Sequence, residues 1–398
     1  MTDASPAAVR SARPLGLAVG GVLALAAAMG VGRFVYTPIL PLMVEALGLS
    51  QGQAGAIASA NFAGYLAGAL LAAAPTLPGS RRGWFVGALA ASAATTALMA
   101  AVESVALFAL LRFLGGVASA VVLVQTTTLV FGRLAGQGRP GLAPAVFSGV
   151  GVGVAGSSLS MLALGLWGGG WRAAWLLAGA LTLLAVLVAV RLVPPEPGEK
   201  DGRRSAKAGG GAWRGFALLA ASYGLFGFGY VITATFIVAL VRQDAGTRPL
   251  EPYVWLLVGL SAIPSVWLWT QLGRLIGLYR AYALCFVVEA VGVAASVLSQ
   301  SVAGVIVASV FLGGTFMGLT ALGLAAAREA APADPRRALA LMTAAFGLGQ
   351  IIGPSFAGLV HDVTGNFVAP SLAAAGALLL GAGLAFVVGV RAARAMTG

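Results

Sequence analysis

Phe113-Leu114-Gly115-Gly116 decides the fold, because the same four residues return as Phe311-Leu312-Gly313-Gly314, 198 positions later. Two further matches lie at offsets of 200 and 197 positions: Gly149-x-x-x-Gly153 with Gly349-x-x-x-Gly353, and Gly30-Val31-Gly32 with Gly227-Phe228-Gly229. In a chain of 398 residues these offsets are close to half the length, and the order is the same in both copies. The sequence therefore predicts a duplicated bundle whose two halves move against each other around a central site.

The composition requires a membrane. Hydrophobic residues make up 59% of the chain, charged residues make up 9%, and the mean hydropathy is +0.95. A soluble fold cannot hide so much apolar side chain behind a polar exterior. Cys285 is the single cysteine and His361 the single histidine, so we predict no internal disulfide, no metal site and no cofactor. The sequence has no Gly-x-x-x-x-Gly-Lys-Ser/Thr loop for binding ATP phosphates.

Twelve stretches are apolar enough to cross the membrane, given that about 20 residues span about 30 Å of hydrocarbon. They cover residues 15–43, 52–75, 84–102, 104–132, 140–168, 171–192, 214–241, 249–273, 280–299, 301–327, 337–361 and 366–390. One clear break runs from Pro75 to Ser80 and is followed by Arg81 and Arg82. The longest polar break contains three prolines and Gly209-Gly210-Gly211, as a flexible, solvated linker would.

We therefore predict an all-α membrane protein with twelve transmembrane helices in two pseudo-symmetric six-helix bundles. The predicted domains are an N-terminal bundle at residues 1–192, a cytoplasmic linker at 193–213 and a C-terminal bundle at 214–398. Nineteen of the 24 lysines and arginines fall on one side of these spans, three on the other and two inside them. This positive-inside pattern predicts an inner-membrane protein with both termini in the cytoplasm. It also explains the net charge of +12 without a nucleic-acid partner.

The chain resembles the major facilitator superfamily, and within it the YbfB/YjiJ-type branch. The matching segments are Gly32 to Pro38, Asn61 to Tyr65, Gly227 to Tyr230, Gly313 to Gly318, and Gly349 to Pro354. The resemblance covers nearly the whole chain and implies two six-helix bundles, a central cavity, and rocking between inward-open and outward-open states. It also implies a small-molecule substrate and gives no indication of which one.

Two motifs of the resembled superfamily are altered in this chain. Arg112-x-x-x-Gly116 resembles the arginine motif of the fourth helix, with Gly115 in place of the usual glutamine. The connection after the second helix usually carries an acid together with its arginines. Here Ser80-Arg81-Arg82-Gly83 keeps the basic residues and lacks the acid. The sequence thus departs from the family's cytoplasmic charge latch.

Only three charged residues lie well inside the predicted spans: Arg33, Arg112 and Glu289. A charge in hydrocarbon costs a few kcal/mol or more, so it usually faces a cavity or a partner. Both arginines lie roughly 12 Å below the outer surface at about 1.5 Å per residue. They could bind an anion through forked hydrogen bonds, or they could instead tie helices together through backbone carbonyls. Glu289 could carry a proton in a coupled transport cycle, or it could be a structural residue, because the resemblance implies that the ninth helix is peripheral.

Polar side chains on the resembled cavity helices complete the candidate site. We predict that Tyr36, Asn61, Tyr230 and Gln350 contact the substrate together with Arg33 and Arg112. Tyr230 occupies the position where the repeat places Arg33 in the first half. The alternative for each of these residues is a hydrogen bond between helices, worth about 0.6 kcal/mol on average in membranes.

These features favour a secondary active transporter that moves a small, anionic organic solute across the inner membrane by alternating access. Its partners would be the solute, the lipid bilayer and a coupling ion such as H⁺, with Glu289 and Arg112 as coupling candidates, and we expect a monomer. The alternative is a drug-type efflux antiporter for apolar or cationic compounds, in which Glu289 would be the required membrane acid. An enzyme would need a nucleophile–base pair or metal ligands, which these spans do not provide.

Overall fold

A computed structural model describes residues 13–74, 78–195, 216–299, 301–332 and 334–397. In these ranges the secondary structure is helical, and twelve helices are long and apolar enough to cross a bilayer. They are α1 (Pro14–Leu47), α2 (Gln51–Ala73), α3 (Arg81–Ala101), α4 (Val105–Gly136), α5 (Pro140–Leu166), α6 (Trp171–Leu192), α7 (Phe216–Gln243), α8 (Arg248–Ile276), α9 (Leu278–Leu298), α10 (Val302–Ala330), α11 (Pro335–Thr364) and α12 (Val368–Arg394).

The twelve predicted spans are confirmed, and their ends differ from the observed helices by a few residues. The break before α3 is explained by Ser80, whose hydroxyl accepts a 3.0 Å hydrogen bond from the Gly83 N–H and caps the helix. Most of the predicted linker, residues 196–213, lies outside the described residues, as do residues 75–77 of the break.

The two bundles repeat the same helix pairings. α2 packs on α4 as α8 packs on α10, and α1 packs on α5 as α7 packs on α11. The repeated glycines lie at these contacts: a Cβ on Gly116 would meet the Asn61 backbone, and one on Gly313 would meet the Val258 backbone. Close approach of two backbones requires glycine, because any side chain would separate the helices. The sequence repeat is therefore a repeat of helix–helix contacts.

Helix α1 is not regular along its length. A wide π-helical turn at Ala26–Val31 and a turn at residues 32–35 separate its two α-helical parts. Gly30 lies against Gly153 of α5, so closely that a Cβ would overlap the partner backbone. In the turn, the Thr37 N–H bonds to the Phe34 carbonyl, which leaves the Arg33 carbonyl without its usual helical donor. Such wide turns occur often at functional sites.

The halves meet along α2 with α11, α5 with α8, and α1 with α7. We call the end that carries Arg81, Arg133, Arg274 and Arg280 the arginine-rich face, and the end that carries Ser50, Arg172, Arg242 and Asp362 the far face.

Hydrogen bonds between the halves cluster from the middle of the molecule to the far face. They include Thr37 to the Ala234 carbonyl at 2.7 Å, the Ser59 and Ser355 hydroxyls at 2.8 Å, and Ser158 to the Pro252 carbonyl at 3.2 Å.

Candidate functional site

Arg33 lies in the irregular part of α1, at the contact between the two halves, with 3% of its surface exposed. Its Nη2 donates a 2.8 Å hydrogen bond to Oε1 of Gln350 on α11. Its guanidinium carbon lies 4.0 Å from the centre of the Tyr65 ring and 4.9 Å from that of Phe62. Its Nε has no hydrogen-bond partner among the described residues. Arg33 is therefore held by an amide and by aromatic faces.

Gln350 extends this contact to a third helix. Its Nε2 donates to the hydroxyl of Tyr230 on α7, and the side chain is fully buried. The Tyr230 ring is nearly parallel to Phe346 and Phe316, with ring centres 5.8 and 6.0 Å away. Arg33, Gln350 and Tyr230, which were predicted separately, thus form one hydrogen-bonded chain from the N-terminal to the C-terminal bundle.

Arg112 is engaged with backbone. Its Nη1 donates to the Gly32 carbonyl at 2.9 Å and its Nη2 to the Arg33 carbonyl at 2.6 Å. These carbonyls belong to the irregular turn of α1, so α4 supplies the donors that the turn lacks. The guanidinium carbon also lies 5.2 Å from the centre of the Tyr36 ring. Arg112 therefore fixes the part of α1 that carries Arg33.

The predicted residues Asn61 and Tyr36 lie within the N-terminal bundle. Asn61 Nδ2 donates to the Arg112 carbonyl at 2.8 Å, and its Oδ1 has no partner among the described residues. The Tyr36 hydroxyl donates to the Ala54 carbonyl of α2 at 3.0 Å. Both side chains bridge the helices around Arg33, and α1, α2 and α4 are tied together by them.

Glu289 lies inside the C-terminal bundle and not at the contact between the halves. It is fully buried on α9, and neither carboxyl oxygen has a hydrogen-bond partner among the described residues. The hydroxyl of neighbouring Thr315 donates at 2.5 Å to the Phe311 carbonyl instead. One turn before Glu289, the buried Cys285 thiol donates to the Thr315 carbonyl at 3.6 Å. Among the described residues, no cation lies within salt-bridge distance of the Glu289 carboxyl group.

The charge of Arg33 is not balanced by an acid. Among the described residues no carboxylate lies within salt-bridge distance of it. Three ion pairs between described residues lie at the far face: Arg172 with Glu103, and Arg242 with Glu45 and Glu251. The centre of the molecule is therefore positive, aromatic and bordered by amide and hydroxyl groups. The described residues also contain no cluster of His, Cys, Asp or Glu that could hold a metal ion.

Sequence reasoning missed the contacts that close the far face. The Asp362 carboxylate of α11 accepts hydrogen bonds from the Ser50 hydroxyl at 2.8 Å and from the N–H groups of Gln51 and Gly52 at 2.9 Å. A side chain of one half therefore caps the N-terminus of α2 in the other half. The Ser50 to Gln53 capping box was readable in the sequence, whereas its partner 312 residues away was not.

The chain is similar to known transporters in sequence and in structure. The family model described as "Uncharacterised MFS-type transporter YbfB" matches residues 25–386. A crystal structure of a mutant of the nucleoside transporter NupG has a TM-score of 0.71 at 16% identity, covering 94% of this chain and 97% of that one. A second NupG crystal structure has a TM-score of 0.69 at 17% identity, covering 94% and 98%. A comparison with curated protein sequences found no match. At these identities the NupG structures establish the fold alone.

Proposed function

The chain belongs to the YbfB-type family of the major facilitator superfamily and is a multi-pass secondary transporter, and from that premise we propose that it carries a small organic anion. The observation that carries this proposal is Arg33, a buried cation between the two halves with no carboxylate partner among the described residues. A buried charge without a counter-ion is costly, and an anionic solute would supply the counter-ion. The guanidinium fork matches a carboxylate or phosphate in geometry.

The same position supports transport by alternating access. Arg33 belongs to the N-terminal bundle, and its partners Gln350 and Tyr230 belong to the C-terminal bundle. A solute that bound Arg33 on one side and the amide or phenol on the other would replace the direct bond between the bundles. Only such differential contacts let a ligand shift the balance between two conformations. In this scheme Arg33, Gln350 and Tyr230 contact the solute, while Arg112, Asn61 and Tyr36 position the α1 turn.

We further propose that Glu289 binds the coupling proton. Its support is geometric: a fully buried carboxyl group on α9 whose oxygens have no partner among the described residues. Two titratable side chains, Tyr230 on α7 and Cys285 on α9 itself, lie close enough to the Glu289 carboxyl group for a charge there to act on them. Tyr230 also accepts the Gln350 hydrogen bond, so a change of charge at Glu289 would be felt at the solute site. Arg112 was the other coupling candidate, and its two carbonyl bonds favour a positioning role.

We also propose a location, an orientation and an oligomeric state for the protein. We place the protein in the inner membrane with both termini and the linker in the cytoplasm, because the arginine-rich face fits the positive-inside rule. We propose that residues 1–192 and 214–398 act as the two moving bundles of a monomer that needs neither a cofactor nor a nucleic acid.

A thermal-shift screen tests the solute class. Purified protein would be mixed with small carboxylates, organic phosphates, uncharged nucleosides and apolar cations. A ligand present at 100 times its Kd stabilises the folded state by about 2.7 kcal/mol. We expect stabilisation by an anion that is lost in Arg33→Ala, is weakened in Arg33→Lys, and is retained in Arg172→Ala, an exposed far-face arginine.

Wild-type behaviour of both Arg33 variants would remove Arg33 from the site. The drug-type efflux antiporter would be favoured if apolar cations stabilised the protein instead. That stabilisation would persist in both Arg33 variants and be abolished in Glu289→Gln.

A further inference from the structure

A cavity of about 490 Å³ lies between α3 and α4, away from the contact between the halves. Its walls are Gly87, Ala88 and Ala91 of α3 and Leu114, Val117 and Val121 of α4. We call it the α3–α4 groove. Its size falls within the range of about 300–1,000 Å³ that small-molecule sites occupy. Neither the repeat nor the proposed solute site accounts for it.

The groove opens on the lipid-facing surface of the N-terminal bundle. Leu107, Leu110 and Leu114 lie three and four residues apart on one face of α4 and are 46%, 52% and 44% exposed. Arg112, which contacts α1, and Gly116, which packs on α2, lie on other faces of the same helix. Half-exposed leucines on a transmembrane helix, turned away from its partners, face acyl chains.

Small residues on α3 create the groove. The two helices are close at Gly115, where a Cβ would lie 3.3 Å from the Thr95 hydroxyl. A Cβ on Gly87 would meet nothing within 4 Å, which shows the open space nearer the arginine-rich face. From Ser80 to Thr95 the lined part of α3 is about 22 Å long at about 1.5 Å per residue. A bilayer with its headgroup layers is about 40–45 Å thick, so one leaflet with its headgroups is about 20–22 Å deep, which matches the length of the groove.

The end of the groove at the arginine-rich face is basic. Arg81 and Arg82 stand in sequence between the lining residues Ser80 and Gly83, and Arg81 is exposed. Arg82 Nη2 donates to the Val190 carbonyl of α6 at 2.9 Å and its Nη1 is buried, so Arg82 adds positive charge here while Arg81 is the exposed donor. The N-terminus of α3 adds the positive end of its dipole at the same place.

Trp84 marks the depth of this basic end. It is half-buried against the groove, and its indole N–H donates to the Pro78 carbonyl at 2.8 Å. Tryptophan in this arrangement is typical of the boundary between headgroups and hydrocarbon. The groove thus has an apolar length inside the membrane and two arginines at the level of the headgroups.

We propose that the α3–α4 groove binds one anionic phospholipid from the leaflet at the arginine-rich face. An acyl chain fills the space beside Gly87 and Ala91, and the headgroup phosphate lies at the exposed Arg81, with the charge of Arg82 next to it. Basic pockets between transmembrane helices on the cytoplasmic side bind anionic headgroups in this way. The sequence has no acid between Glu45 and Glu103, so this segment supplies no counter-charge to the arginines.

Native mass spectrometry of the full-length protein, with phosphatidylglycerol or phosphatidylcholine added to the detergent, tests the site. Each arginine near the headgroups strengthens binding of an anionic lipid about fivefold, so two predict about a 25-fold preference for phosphatidylglycerol. We expect Gly87→Leu to remove one tightly retained phosphatidylglycerol. Gly376→Leu is the matched control, because Gly376 is exposed on α12 and its Cβ would also meet nothing within 4 Å.

Two further variants distinguish binding of the acyl chain from binding of the lipid headgroup. Ala91→Leu should lose the same lipid by filling the groove farther from the arginines. Arg81→Gln with Arg82→Gln should retain a lipid but lose the preference for phosphatidylglycerol. Equal retention of the two lipids by the wild type would overturn the proposal. So would a Gly87→Leu protein that keeps the phosphatidylglycerol, or a double glutamine variant that keeps the preference.

Discussion

Replacing Asp362 with alanine should weaken the closure of the far face. The carboxylate accepts three hydrogen bonds from the first residues of α2, at 2.8, 2.9 and 2.9 Å. All three join the C-terminal bundle to the N-terminal one, so they exist only while the far face is closed. The positive end of the α2 dipole also meets the Asp362 charge there. The substitution removes these interactions from the closed state alone.

The expected size follows from helix capping. Loss of an N-cap carboxylate costs about 0.5–2 kcal/mol, and Asp362 is exposed, which limits the contribution of its charge. The Ser50 to Gln53 capping box remains and continues to serve α2. A loss of about 0.5–2 kcal/mol corresponds to about a 2- to 30-fold fall in the ratio of closed to open molecules.

Pulsed electron paramagnetic resonance would measure this ratio. Spin labels at Leu166→Cys and Val363→Cys, both 88% exposed and on opposite halves, would report the width of the far face. The buried native Cys285 would be replaced by alanine.

Asp362→Ala should increase the fraction of long distances, and Asp244→Ala should not. Asp244 is the matched control because its carboxylate bonds to Thr247 within the same half. A distance distribution that is unchanged by Asp362→Ala, or shifted equally by the control, would refute the reasoning.

Three further predictions concern the interior. Arg112→Lys should leave one of two buried carbonyls unpaired and lower the free energy of unfolding by about 1–3 kcal/mol; an unchanged denaturation midpoint would contradict this. Glu289→Gln should keep the fold and solute binding but abolish solute accumulation driven by a pH gradient in proteoliposomes, so undiminished accumulation would exclude Glu289 as the proton site. Gly64→Ala should lower the free energy of unfolding by about 1–3 kcal/mol, because its Cβ would overlap the Phe113 backbone. Gly87→Ala is the control and should leave the stability unchanged. Equal melting temperatures for these two variants would be evidence against the close packing of α2 on α4.

The twelve spans could be predicted because membrane insertion depends on hydropathy, which is local in sequence. The repeat could be read because Gly116 and Gly313 make equivalent contacts, and close contacts between backbones admit only glycine. The wide turn in α1 could not be read, since it depends on packing between Gly30 and Gly153. α1 also continues to Leu47, where Gly48 ends it with a φ of 63°, so Arg33 lies farther from the end of its helix than predicted.

The candidate site was predictable as a set of residues but not as an arrangement. Arg33 and Gln350 were identifiable because polar groups in hydrocarbon need a reason to be there. Their direct hydrogen bond spans 317 positions, a distance over which sequence periodicity carries no information. The carbonyl partners of Arg112 exist only because α1 is irregular, so its anchoring to backbone required the structure. The substrate-binding roles of these residues remain predictions.

The wide turn of α1 has a mechanical consequence. It contains more residues than a regular turn, and one residue of an α-helix corresponds to a rotation of about 100° about the axis. If the π-helical turn shifted by one turn along α1, the residues between its old and new positions would rotate about the helix axis by that angle. Arg33 lies two residues after the wide turn, so this shift would rotate its guanidinium away from Gln350 while the ends of the helix stayed in place. The cation could then change partners by torsion, without either bundle having to tilt first.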